Sequence, residues 1–273
     1  MKRCTLIVFL ILVILNIQAQ DFLISFSGSG ASTIVEKIKI ENLTQGTFLT
    51  LPGNTILHLK GDVSVQKSGK NQDTSIASKS NISEIIMPYT YGDRLKFIGT
   101  SGNYSAIVMN TPRQSKKLIF NFTECTDGSL INYPVIQIGS QTWMAENLKT
   151  SKFNDGTAIP YVYLSSYFSP NYKPAYCVYR NSVINYNTYG GLYDWGLVWT
   201  EKICPTGWHV PSIDEWLTLF DYLGGASKAG NILKEKGIKH WTSPNTGAID
   251  SVGFCALPGG VNLNEGEGHS NIG

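Results

Sequence analysis

The sequence predicts a mixed fold: an all-β, sandwich-like region over residues 20–122, followed by an α+β region over 123–273. Two observations carry this. Short period-two apolar runs separated by turn residues fill the first part, as half-buried strands require. After Cys125 the texture changes: all six tryptophans lie there, from Trp143 to Trp241, together with one sharply capped helix. With 273 residues, 42% hydrophobic, 11% aromatic and 15% charged, the chain has the apolar content for one large core or two small ones. It carries too little charge for a disordered chain.

Residues 1–19 read as a secretory signal. Lys2 and Arg3 precede an apolar run over 6–15, and a short polar stretch ends at Ala19, after which cleavage is expected. The run is too short to cross about 30 Å of hydrocarbon, and no later segment is apolar enough, so no transmembrane span is expected after cleavage. Cys4 stands before the apolar run, which excludes lipoprotein processing there. The formal net charge is +2, and removing Lys2 and Arg3 leaves as many basic as acidic residues. A neutral mature chain has no electrostatic footprint for nucleic acid or anionic lipid. The expected location is secreted, extracellular or on the outer cell surface, with the periplasm as the alternative. In such an oxidising place Cys125, Cys177, Cys204 and Cys255 are candidates for structural disulfides or buried thiols. Their pairing stays open, and no two show the spacing of a zinc knuckle.

In residues 34–41, Ile34, Ile38 and Ile40 share one strand face, while Val35, Lys37, Lys39 and Glu41 take the wet one. Further strands are expected at 47–51, 55–59, 94–98, 105–110 and 116–122. Turns fall between them at Pro52-Gly53-Asn54, Gly92-Asp93 and Gly102-Asn103. A small antiparallel sandwich is the expected arrangement, with residues 64–83 as a long exposed loop. His58 alternates with leucines and is expected to face solvent. Asn42, Asn81, Asn103 and Asn121 begin Asn-x-Ser/Thr sequons, which on an exposed surface of a eukaryotic protein would carry glycans.

In the second part, Pro211-Ser212-Ile213-Asp214-Glu215-Trp216 specifies a helix start. Ser212 caps the amides ahead of it and Glu215 returns to the Ser212 amide. Trp216, Leu219, Phe220 and Leu223 form one stripe, and Gly224-Gly225 ends it. A weaker helix is expected over 228–236, burying Ala229, Ile232 and Leu233. The rest reads as short strands and aromatic loops.

Four phrases in this part stand together: residues 135–148 with Trp143, Glu146 and Asn147; residues 189–195 with Trp195; residues 204–216 with Cys204, Trp208, Pro211, Ser212, Glu215 and Trp216; and residues 253–260 with Pro258 and Gly259. In this order and spacing they resemble the Fibrobacter succinogenes major paralogous domain (FISUMP) over about 124–273. The resemblance implies a C-type lectin-like fold, shared with formylglycine-generating enzymes, with those residues as its structural framework. It also implies closing strands, and a cysteine partner for Cys204, beyond Gly273; the chain therefore reads as an incomplete domain. Cys255 stands where the family has serine, and Cys125 is optional. Bridges Cys125–Cys255 or Cys177–Cys204 are the pairings considered.

The chemistry is sparse. Trp208 is best read as an anchor for the helix and His209 as its exposed neighbour. Glu146, Asn147 and Asp194 have no acid–base partner identifiable by spacing. Residues 262–271 offer oxygen ligands without the acidic spacing of a calcium loop, and the lectin calcium triplets are absent. No nucleophile, zinc-protease or phosphate-loop motif occurs. The relatives' paired reactive cysteines are not matched, since no second cysteine follows Cys255. Neither a catalytic residue nor a cofactor is expected. The expectation is a non-catalytic binding protein for a glycan or protein ligand, its tyrosine- and tryptophan-rich loops supplying the contact surface. The alternatives are an oxidase relative and a structural adhesion component.

Overall fold

The computed structural model describes residues 21–61, 84–163, 173–263 and 268–273. The signal sequence with its cut after Ala19, the 64–83 loop, Asn81 and the tyrosines at 167 and 172 lie outside the described residues.

Two sheets enclose the first core. One contains β1 (Asp21–Gly30), β4 (Ile56–Lys60), β5 (Glu84–Pro88) and β8 (Lys116–Phe122), in the order β5-β4-β1-β8. The other contains β2 (Lys37–Asn42), β3 (Thr47–Pro52), β6 (Leu95–Ser101), β7 (Tyr104–Asn110), β9 (Val135–Ile138) and β10 (Gln141–Met144), in the order β10-β9-β7-β6-β2-β3. Alternation decides the faces. Ile38, Ile40, Leu95 and Phe97 point inward to meet Ile24, Leu57, Leu59 and Phe120 of the facing sheet, all with no exposed surface. Phe120 lies over Gly99, where a Cβ would come within 2.7 Å of its ring.

The expected antiparallel arrangement is corrected. β1 runs parallel to β8, β4 to β5, and β7 to β9. The strand signals read from composition carry no direction, and long connections such as that between β1 and β8 permit parallel pairing. The strand expected from residue 34 starts at Lys37. Before it the chain turns, so Val35 is buried and Ile34 is 67% exposed, the reverse of the alternation expected. Asn42 is corrected as a surface sequon. It is buried, its amide donating to Asp93 at 2.8 Å while its oxygen caps the Thr44 and Gln45 amides. His58 points away from the flanking leucines, as alternation requires, and meets Asp21 at 3.5 Å.

The six-stranded sheet continues past residue 122, since β9 and β10 belong to the tryptophan-rich part. Its outer face carries Ile98, Ile107, Met109, Ile136 and Ile138. That face is covered by α3 (Ile213–Tyr222) and α4 (Ala226–Leu233) through Leu219, Leu223, Ala229 and Leu233. α3 starts with the expected capping box: Glu215 N donates to Ser212 Oγ at 3.3 Å, and Ser212 N to Glu215 at 2.8 Å. At its end Gly225 N donates to Phe220 O, with Gly225 at φ 103°. α4 spans Ala226–Leu233 rather than 228–236, because Lys234 turns extended to bridge Ala256.

Two further helices replace expected aromatic loops, α1 (Val183–Tyr189) and α2 (Trp195–Trp199), capped by Ser182 and Asp194. α1 buries no side chain and α2 only Leu197, so neither shows an apolar stripe. Two small ladders complete the chain: β11 (Tyr176–Cys177) with β12 (Leu192–Tyr193), and β13 (Gly259–Leu263) with β14 (Gly268–Ile272). The fold is mixed and mainly β, with few helices. Among the described residues no helix is long and apolar enough to cross a membrane.

Candidate binding groove

The turn Cys204-Pro205-Thr206-Gly207-Trp208 is closed by Trp208 N donating to Pro205 O at 2.9 Å. Its indole is fixed from the other side, Nε1 donating to Glu124 O at 2.8 Å. Trp208 thus packs both on the inter-sheet core and on a third cluster containing Ile159, Leu197, Ile203 and Cys204. The indole therefore bridges two clusters, and one of its flanks stays open.

On that flank lies a groove of about 470 Å³, walled by Trp143, Trp208, Trp216, Phe254 and Met144 and rimmed by Thr123, Gln141, Thr142, His209 and Glu215. Its volume is that of small-ligand sites. The Trp143 ring lies 4.9 Å from Trp216 and 5.9 Å from Phe254, tilted and edge-on, as ring quadrupoles favour. Trp143 is 7% exposed, and its Nε1–H is buried with no acceptor among the described residues. An unpaired buried donor costs about 1–3 kcal/mol. At the rim His209 Nε2 meets Glu215 Oε1 at 2.7 Å. The Ser212 amide, then His209, hold the Glu215 carboxyl below its ordinary range. Among the described residues no lysine or arginine lines the groove.

A second cavity of about 560 Å³ opens on the other side of Trp208 and His209, lined by Trp195, Trp199, Val198 and Cys204. Trp195 and Trp199 are 67% and 75% exposed, their rings edge-to-face at 6.3 Å. The sequence shows these tryptophans, but only the one-turn spacing on α2 puts both rings on one exposed side.

A cavity of about 650 Å³ gathers Glu146, Asn147, Lys149, Lys96, Glu235, His240 and Cys255. Most of its charged side chains are paired: Glu146 with Lys149 at 3.2 Å, Glu235 with His240 at 2.9 Å, and Lys96 with Asp250 behind it at 4.0 Å. Asn147 donates to Tyr189 O at 3.0 Å. Glu146 and Asn147 therefore serve loop geometry, and so does Asp194, whose carboxylate takes the Leu197 and Ala175 amides. Pro258 is buried and Gly259 opens β13. Sequence reasoning missed the buried Asp127–Tyr133 pair. Tyr133 Oη donates to Asp127 at 2.6 Å and accepts Lys149 N at 2.8 Å.

Cys125, Cys177, Cys204 and Cys255 are free thiols, the first three buried, and neither of the two pairings considered from the sequence is formed. Cys125 lies inside the inter-sheet core. Cys255 lies across the six-stranded sheet beside Lys96 and Asp250, so that pair cannot meet. Cys177 Sγ accepts from Asn262 Nδ2 at 3.3 Å instead of meeting Cys204. Burial pushes the Cys125 thiol up to about 12, and those of Cys204 and Cys255 to about 11. Such thiols are protonated at neutral pH, where their thiolate chemistry is slow. Among the described residues no group of three or more His, Cys, Asp or Glu side chains is placed to hold a metal ion.

Comparison with curated proteins and with solved structures finds no match. The family model of the Fibrobacter succinogenes major domain matches residues 136–273, which include all five walls of the groove and the capped helix beside it. The chain belongs to the Fibrobacter succinogenes major domain family.

Proposed function

We propose that the chain is an exported, non-catalytic binding protein whose aromatic groove takes an uncharged, hydroxyl-rich ligand, a glycan before a protein. The observation that carries the reading is the groove itself: three indoles and a phenyl ring lining one open space. The ring faces give a ligand contact area at low entropic cost, and the polar rim offers partners for its hydroxyls. The lack of lysine and arginine in the lining speaks against acidic ligands. The protonated thiols, Cys255 included, weigh against the oxidase alternative. A C-type lectin-like arrangement of residues 136–273 belongs to the same proposal, supported by the pairing of α3 and α4 with short ladders and long loops.

The test is an array of polysaccharides and proteins probed with purified chain. A selective glycan hit is expected, lost in Trp208→Ala and weakened in His209→Ala, whose exposed side chain can be removed without touching the core. Turnover of the bound ligand, or binding indifferent to both substitutions, would overturn it. A scaffold role predicts no selective hit at all.

A further inference from the structure

We infer that Cys125 and Cys204 are a vicinal thiol pair that closes into a disulfide on oxidation, locking the Trp208 turn to the end of the β8 strand. Contacts that run through Trp208 bring the two residues together. Trp208 Nε1 holds the carbonyl of Glu124, the residue before Cys125, while the turn that begins at Cys204 carries Trp208 itself. Trp208 and Leu148 pack against both the cluster containing Cys125 and the cluster containing Cys204, so the two clusters abut there. Burial first, and then the nearby Cys204 sulfur, oppose ionisation of Cys125.

The pair is asymmetric in access. Cys204 lines the cavity beside Trp195 and Trp199, whereas Cys125 is sealed in the inter-sheet core. With glutathione disulfide as oxidant, the Cys204 thiolate attacks one glutathione sulfur and the other leaves as glutathione thiolate. The Cys125 thiolate then attacks Cys204 Sγ in the mixed disulfide and expels the second glutathione. Both cysteine protons pass to the two departing thiolates. Two electrons go from the protein thiols to the glutathione disulfide, so one protein disulfide and two glutathione thiols result. Cys177, bonded to Asn262, and Cys255, across the sheet, have no such neighbour in the chain as described.

The full chain, equilibrated with a glutathione redox buffer at pH 8.5, is quenched with iodoacetamide in denaturant and mapped by mass spectrometry without reduction. The expected result is the loss of two alkylatable cysteines and one crosslinked peptide pair joining Cys125 to Cys204. Cys125→Ser and Cys204→Ser should each abolish that crosslink, and Cys177→Ser and Cys255→Ser should leave it. Near-ultraviolet circular dichroism checks that each variant is folded. Alkylation of both residues after equilibration, or a crosslink from either to another cysteine, would overturn the inference. None of these readouts depends on ligand binding, so the pair and the groove stand or fall separately.

Discussion

Replacing Tyr133 by phenylalanine removes one oxygen from a side chain that is 2% exposed and leaves the ring in place. That oxygen donates to the buried Asp127 carboxylate at 2.6 Å and accepts the Lys149 amide at 2.8 Å. A hydrogen bond to a charged group contributes about 1.5–3 kcal/mol, and the Lys149 amide loses its acceptor as well. Tyr133→Phe should therefore cost about 2–4 kcal/mol at neutral pH, a fall of about 5–15 °C in Tm for a chain of this size. The pH dependence gives a second readout. Burial, then the bond to Asp127, raises the Tyr133 hydroxyl well above its ordinary value of 10.0. Above pH 10 the unfolded chain releases this proton and the folded chain keeps it. Stability therefore falls as pH rises, by about 1.4 kcal/mol per unit for each such group. The variant lacks the group, so its deficit against the parent should shrink above pH 10. Urea unfolding followed by tryptophan fluorescence at pH 7, 10 and 11 measures both. A deficit under about 0.5 kcal/mol at pH 7, or one that stays constant to pH 11, would refute the reasoning.

Two more outcomes follow from the packing. Gly99→Ala places a methyl group within 2.7 Å of the Phe120 ring between the sheets, and overpacking of this kind should cost about 1–3 kcal/mol by urea unfolding. Because the six-stranded sheet joins both parts of the chain, tryptophan fluorescence, which reports only residues after 142, and far-ultraviolet circular dichroism should give coincident urea transitions; separated midpoints would mean independent units.

What could be read in advance divides by physical cause. The strand at Lys116–Phe122 and the start of α3 were legible to the residue, because period-two alternation and a reciprocal cap are local signals. β1 was not foreseen: Phe22, Ile24 and Phe26 alternate, but Ser27-Gly28-Ser29-Gly30 carries no apolar beat, and that half is a strand only because β8 pairs alongside it. Asn42 reads as a turn-flanking sequon and is buried because Asp93, distant in sequence, arrives to accept from it. At the groove, Trp143, Trp208 and Trp216 were all named, yet as separate framework residues. Nothing local says that a strand, a turn and a helix present their rings to one space.

The change of texture after Cys125 marks a change of surface, and the hydrophobic layers run through it. The family match begins at Ile136, inside β9, and β9 takes its register from β7 through Ala106 with Val135 and Ile107 with Ile136. Successive residues of that strand serve different layers: Val135 enters the inter-sheet core, and Ile136 meets Leu219 and Leu233 beneath the helices. Ile98, Ile107 and Met109, from the strands before the match, complete the floor on which α3 rests. α3 in turn carries Trp216 into the groove, while Thr123, at the end of β8, forms part of its rim. The position of the candidate site is thus set by strands that the family pattern does not contain. Cutting the chain at residue 123 would leave one edge of β9 unpaired and take Ile98, Ile107 and Met109 from beneath the helical layer, so the preceding strands are better understood as the bed of the matched region than as its attachment.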